Sequence, residues 1–224
     1  MPTRVQYKSG RGREVEGELA LPAGQAKVPA LILVQEWWGV NDHIRAYADR
    51  YAAEGFLTLA VDLYDGAVAS DKDEASHRMD GLDWGAALDH IAGAIAFLDD
   101  HERSSGKVGI TGFCMGGAIT FSAACSLHGL HAAVPFYGVP GSFDATRVEA
   151  PILAHIAERD TWATPAIATR FATEMAAAGK PMDVEFYDAD HAFMNMARPE
   201  VFDAACAARA WTRTAAFLHE HLGN

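Results

Sequence analysis

Gly112-Phe113-Cys114-Met115-Gly116-Gly117 is the stretch on which the reading of this chain turns. It follows the apolar run Val108-Gly109-Ile110-Thr111 and opens a small-residue stretch from Ala118 to Leu127. That succession predicts a strand, a sharp turn and a helix, the layout of a nucleophile elbow, with cysteine where serine usually stands. Such a turn lifts one side chain above the sheet edge on a strained backbone. Glycine is needed two positions before it and two after it, because a Cβ there would collide across so tight a bend. The helix that follows aims its N-terminal N–H groups at the sulfur, which favours a thiolate and a developing oxyanion. A plain tight turn with a buried thiol is the competing reading, since free cysteine often behaves as a small hydrophobe.

Moving outward, the chain alternates strand-like and helix-like segments. Val15 to Leu21 reads as an early strand ended by Pro22-Ala23-Gly24, and Ala30 to Val34 as a strand buried on both faces. Asn41 to Glu54 reads as a helix with Asn41 or Asp42 as its cap and Gly55 as its stop. Phe56 to Val61 is the next strand. Asp83 to Asp100 has helical spacing, with Trp84, Leu88, Ile91, Ile95 and Leu98 on one face. Beyond the elbow come strands at Ala132 to Tyr137 and Pro151 to Ala157, and a helix from Thr164 to Ala178. A last strand at Met182 to Tyr187 and a final helix within Pro199 to Leu222 complete the pattern. Repeated strand and helix units imply an α/β fold, a mostly parallel central sheet flanked by helices on both faces. No repeat or linker interrupts it, so residues 1–224 read as a single domain.

The totals agree. The chain has 224 residues, half of them hydrophobic, and a net charge of −12, which disfavours a nucleic-acid surface. No run of Lys and Arg suggests binding to an anionic membrane, and the apolar run Val28 to Val34 is too short to span one. The first residues lack an apolar signal core. Three cysteines, Cys114, Cys125 and Cys206, leave one unpaired in any arrangement, which fits a reducing, cytoplasmic setting. Cys125 and Cys206 read as core thiols, and His128, His131, His219 and His221 as surface residues too poor in thiolate or carboxylate neighbours for a metal site.

In a parallel sheet, ligands bind at the carboxyl ends of the strands. The residues there are Gln35-Glu36-Trp37-Trp38-Gly39, then Cys114, then Glu158-Arg159-Asp160, then Asp188-Ala189-Asp190-His191. Nucleophile, acid and histidine thus follow strands in the chain order of α/β-hydrolase triads. His191 is placed to take the thiol proton and return it to a leaving group. Asp160 is placed to fix the imidazole tautomer, although Asp188 and Asp190 stand closer to His191 in sequence and compete for the role. The N–H groups of Met115 and Trp37 are the expected oxyanion donors. Glu36 has two readings. It is a loop carboxylate facing water, or it lies beside Cys114, where it suppresses the thiolate or accepts its proton.

The chain resembles the dienelactone hydrolase family. The matching blocks are Gln35 to Asn41, Asp62-Leu63-Tyr64, Gly112 to Gly117, Phe136-Tyr137-Gly138, Asp160 and His191-Ala192-Phe193, in order over nearly the whole chain. The resemblance implies a triad of Cys114, Asp160 and His191, with Glu36 engaging the cysteine until substrate arrives. It implies hydrolysis of a carboxymethylenebutenolide-type enol-lactone in chloroaromatic breakdown, with no cofactor and no metal. One departure stands out. Family members with that activity hold the substrate carboxylate with two arginines. Arg78 matches the first loosely, and Asn195 occupies the place of the second, with Arg198 the nearest later arginine. Asp65, if it lined the pocket, would repel a carboxylate. Trp37, Trp38, Tyr64, Tyr137 and Phe193 suggest aromatic walls, and each also suits core packing.

The expected activity is therefore hydrolysis of a lactone or activated ester by a cysteine nucleophile, through an acyl-enzyme. A general carboxylesterase of the same fold is the nearer rival, and a non-hydrolytic redox-responsive thiol protein the more distant one. The expected partner is a small lactone or ester, and the expected state a monomer, with a dimer as the alternative.

Overall fold

A computed structural model describes residues 1–223. Its centre is an eight-stranded sheet. The strands are β1 (Thr3–Lys8), β2 (Glu14–Ala20), β3 (Val28–Val34), β4 (Leu57–Val61), β5 (Ser104–Phe113), β6 (Ala132–Phe136), β7 (Ile152–Ala157) and β8 (Met182–Tyr187). They lie in the order β1-β2-β4-β3-β5-β6-β7-β8. β1 pairs antiparallel with β2, and β2 antiparallel with β4, while β4 through β8 run parallel to one another. The strand order reverses at β3, whose neighbours are β4 on one side and β5 on the other. A crevice opens at such a reversal beyond the strand ends, and the cysteine turn lies there.

The sheet is covered on both sides because its central strands are apolar on both faces. In β3, Ala30, Ile32 and Val34 point into one core and Leu31 and Leu33 into the other. The first core is closed by Ile91 and Leu98 of α3 (Trp84–Asp99), Ile119 of α4 (Met115–Ser126) and Phe171 of α5 (Pro165–Ala177). The second is closed by Ile44 and Tyr47 of α1 (Asp42–Ala53) and by Trp211 and Leu218 of α6 (Ala204–Leu222). Local signals set the helix starts. The side chains of Asn41, Asp83, Thr164 and Asp203 each accept a backbone N–H of the first turn, and Pro165 occupies a first-turn position where its missing N–H costs nothing. Among the described residues no helix is long and apolar enough to cross a membrane.

Two elements go beyond the sequence pattern. β1 has only Tyr7 buried, and α2 (Lys72–Asp80) only Ala75, so neither shows an apolar period. The contact face of α3 also differs from the expected one. Trp84 is exposed and Leu88 and Ile95 are half-buried, whereas Ala87, His90, Ile91, Ala94 and Leu98 are buried. The small residues win because the helix runs against the backbone after β1. A Cβ on Gly93 would lie 2.1 Å from the Lys8 carbonyl oxygen. Of the other two thiols, Cys125 is buried but Cys206 is half-exposed near the start of α6. His128 is exposed, as expected, while His131, His219 and His221 are half-buried. His131 accepts the Val108 N–H through Nδ1, and His219 packs against Phe56.

The turn between β5 and α4 is the tightest point. Cys114 adopts φ 57° and ψ −119°, a region that costs a non-glycine residue roughly 1–3 kcal/mol. A Cβ on Gly112 would lie 2.4 Å from the Gly116 carbonyl oxygen, and one on Gly116 2.4 Å from the carbonyl oxygens of both Val34 and Gln35. All these obstacles are backbone, so nothing swings aside. Gly116→Ala is expected to cost about 2 kcal/mol or more by urea denaturation, while Gly141→Ala, with open space around it, stays within about 0.5 kcal/mol of the parent.

Candidate active site

The register of β3 on β5 pairs Val34 with Gly112, so Gln35-Glu36 and Phe113-Cys114 leave the sheet side by side. The turn is fastened from the other flank by the Cys114 N–H, which donates to the Phe136 carbonyl at 3.0 Å. The loops after β7 and β8 are also tied together. The Glu158 N–H donates to Tyr187 O at 2.8 Å and the Arg159 N–H to Ala189 O at 3.2 Å. These ties deliver Asp160 and His191 to each other. His191 Nδ1 donates to Asp160 Oδ2 at 2.6 Å, and Asp160 Oδ1 accepts the N–H groups of Trp162 at 2.8 Å and Ala163 at 3.0 Å. With Nδ1 engaged, Nε2 is the nitrogen left for Cys114, whose side chain interacts with the imidazole.

The rival carboxylates are held elsewhere. Arg159 binds Asp190 at 3.0 Å and also contacts Asp188, so both face an exposed guanidinium rather than the imidazole. Burial works against a charged Asp160, but His191 and the two backbone donors outweigh it and hold its carboxyl below the ordinary range. Burial likewise opposes a charged His191. Hydrogen bonds to Asp160 and Cys114 and attraction to both prevail and raise its pKa to about 10. The imidazole therefore favours its protonated form beside the sulfur.

Glu36 does not face water. It is 2% exposed, and its Oε2 accepts from Asn195 Nδ2 at 2.6 Å. Its Oε1 and the Tyr137 hydroxyl are both buried with no hydrogen-bond partner among the described residues. Burial pushes the Glu36 carboxyl up to about 7, against the opposing pull of His191, Asn195 and Arg198. The contact made by Glu36 is thus to Asn195, with no hydrogen bond to Cys114 among the described residues.

A cavity of about 350 Å³ joins these groups. Glu36, Trp37, Trp38, Cys114, Asp160, His191 and Arg198 line it, together with Met79, Thr161, Trp162 and Ala192. The Met115 N–H opens α4 ahead of its hydrogen-bond ladder, and the Trp37 N–H has no acceptor among the described residues. Four of the expected wall residues lie elsewhere. Tyr64 and Arg78 line a neighbouring cavity with Asp65, and Arg78 is bound by Glu74 at 2.6 Å and 3.1 Å. Tyr137 and Phe193 are fully buried and pack against each other behind the imidazole, Tyr137 edge-on to His191 at 5.1 Å. Among the described residues, no group of three His, Cys, Asp or Glu side chains is placed to hold a metal ion.

The dienelactone hydrolase family model matches residues 15–222, nearly the whole chain. The chain belongs to the dienelactone hydrolase family. It is 33% identical to Protein usf of Aquifex pyrophilus, over 99% of this chain and all of that protein. It is 28% identical to the carboxymethylenebutenolidase of Pseudomonas putida, over 90% of each. A dienelactone hydrolase-like promiscuous phosphotriesterase from metagenomic libraries superposes with a TM-score of 0.89 over 99% of each chain, at 24% identity. That likeness shows the shared α/β-hydrolase fold. Family membership makes this chain a hydrolase.

Sequence reasoning missed Trp162, Met79 and Thr161. Trp162 follows Asp160 by two residues and packs edge-on to His191 at 5.8 Å, so a position inside the acid loop was the available signal. Met79 sits on α2, which had no apolar period to reveal it.

The buried Glu36 carboxyl makes stability depend on pH. Below about pH 4.5 it is protonated in both the folded and unfolded states. From there to about pH 7 only the unfolded chain loses the proton, so stability falls as pH rises, and the penalty is constant above. Glu36→Gln removes this effect. Its stability relative to the parent should climb by on the order of 3 kcal/mol between pH 4.5 and 8, read from urea denaturation at each pH.

Proposed function

We propose that this protein hydrolyses a lactone or activated carboxylic ester, with Cys114 as nucleophile, His191 as acid and base, and Asp160 as the group that orients the histidine. The observation that carries the reading is the hydrogen bond from His191 Nδ1 to Asp160, with the strained Cys114 turn, His191 and Asp160 all lining one cavity. The Pseudomonas putida relative is named for butenolide hydrolysis, which fits the same reaction class.

Cys114, its proton held on His191 Nε2, would attack the ester carbonyl. The carbonyl oxygen becomes an oxyanion facing the N–H groups of Met115 and Trp37. Collapse of the tetrahedral species breaks the C–O bond, and imidazolium returns the proton to the departing oxygen. In a lactone that oxygen stays tethered to the acyl chain. Water then attacks the Cys114 thioester, His191 takes its proton, and the acid is released with the thiol restored. Asp160 keeps Nδ1 protonated and compensates the positive ring throughout. Glu36, held by Asn195, is the other carboxyl lining the cavity, and attraction to His191 favours its charged form against burial.

p-Nitrophenyl acetate should leave one acetyl group on Cys114, seen as a mass increase of the intact protein and located by peptide mapping. Cys114→Ala should remove the adduct and the turnover together, and His191→Ala should lower kcat by about a hundredfold or more. Full esterase activity in Cys114→Ala would rule the reading out.

A further inference from the structure

The charges around the cavity limit which substrates fit it, an inference that rests on the hydrolase reading. Its walls are apolar and flat, with Trp37, Trp38, Met79, Trp162 and Ala192 facing the space. Two carboxyl groups, Glu36 and Asp160, also line it. Apart from His191, the one cationic side chain among the described lining residues is Arg198, whose guanidinium is bound to Glu200 Oε1 at 2.9 Å. Arg78 belongs to the neighbouring cavity and is bound by Glu74. Asn195, 1% exposed, donates through Nδ2 to Glu36 and accepts the Ala197 N–H through Oδ1, so its amide is engaged on both sides.

A substrate carboxylate entering this space would shed water and meet the Glu36 carboxyl, with His191 already paired to Asp160 and Arg198 to Glu200. Desolvation without compensation and like-charge repulsion both oppose its binding. The chain's net charge of −12 acts in the same direction at longer range. An uncharged flat group loses little on leaving water and gains contact with the indole rings. A cavity of about 350 Å³ suits one ring and a short chain. We propose that this site selects uncharged esters or lactones bearing a flat apolar group and discriminates against substrates that carry a carboxylate.

Two esters of matched length and leaving group test this. The kcat/KM of p-nitrophenyl butyrate should exceed that of mono-p-nitrophenyl succinate by about tenfold or more at low salt. The ratio should narrow as ionic strength rises from about 0.01 to about 0.5 M, because screening weakens repulsion. Asn195→Arg should shift the ratio toward the succinate, whereas Arg198→Gln should leave it in favour of butyrate. Equal or faster turnover of the succinate, or a selective loss of succinate turnover in Arg198→Gln, would overturn the proposal while leaving the hydrolase reading intact. Binding measured without turnover separates the two claims. Quenching of the cavity tryptophans should show benzamide bound more tightly than benzoate even if neither ester is cleaved. Tighter binding of benzoate would sink the charge selection by itself.

Discussion

The arrangement depends on backbone packed against backbone at the strand-order reversal. Gly112 and Gly116 let the start of α4 lie directly on the ends of β3 and β5, with no side chain between them. That closeness forces Cys114 into its strained conformation, and the strain is borne by a turn fixed to β6 through the Phe136 carbonyl. A turn with more room would let the sulfur relax toward the sheet. Its distance to the imidazole would then be set by side-chain rotation rather than by the fold. Here the fold sets it, so the loops around the cavity are free to differ in composition without moving the sulfur.

The second constraint is the sorting of carboxylates. Glu36, Glu158, Asp160, Asp188 and Asp190 are among the acidic side chains that follow parallel strands at the same end of the sheet. Left unsorted they would repel one another and compete for one imidazole. Arg159 draws Asp188 and Asp190 outward, Asn195 takes Glu36, and backbone donors hold Asp160 in the orientation that meets His191. Each assignment uses a different partner type, a guanidinium at the surface, an amide in the interior and peptide N–H groups in the loop. Burial explains the division. A cation outside is cheaply solvated, whereas deep in the site a neutral amide satisfies a carboxyl without adding a second charge to desolvate.

The parallel strands were legible because burial on both faces demands continuous apolar runs, and β3 and β7 have them. The elbow was legible because only glycine tolerates its geometry, and Asp160 and His191 because strand ends are where such sheets place ligands. β1 and α2 were not, since each has a single buried residue and is held by its neighbours rather than by its own pattern. Aromatic identity alone did not separate cavity walls from core. Tyr137 and Phe193 match the motif blocks yet lie behind His191, while Trp162 outside those blocks faces the cavity. Asn195 was visible in the sequence as a missing charge. Its partner Glu36, distant in sequence, emerged only when the chain was folded.

The segment after β8 carries His191, Asn195 and Arg198, and it is anchored to distant elements by the Tyr47 hydroxyl on Met194 O at 3.0 Å and the Asp203 N–H on Phe193 O at 3.1 Å. Proton transfer, the hold on Glu36 and the one lining arginine therefore share a single mechanical unit. An insertion or deletion there would disturb all three together, so descendants of this protein have little freedom to vary it by length. The tryptophans at 37, 38 and 162 stand on separate loops from that unit. Divergence toward new substrates has its open route through those loops, where a wall can be reshaped while the histidine keeps its place.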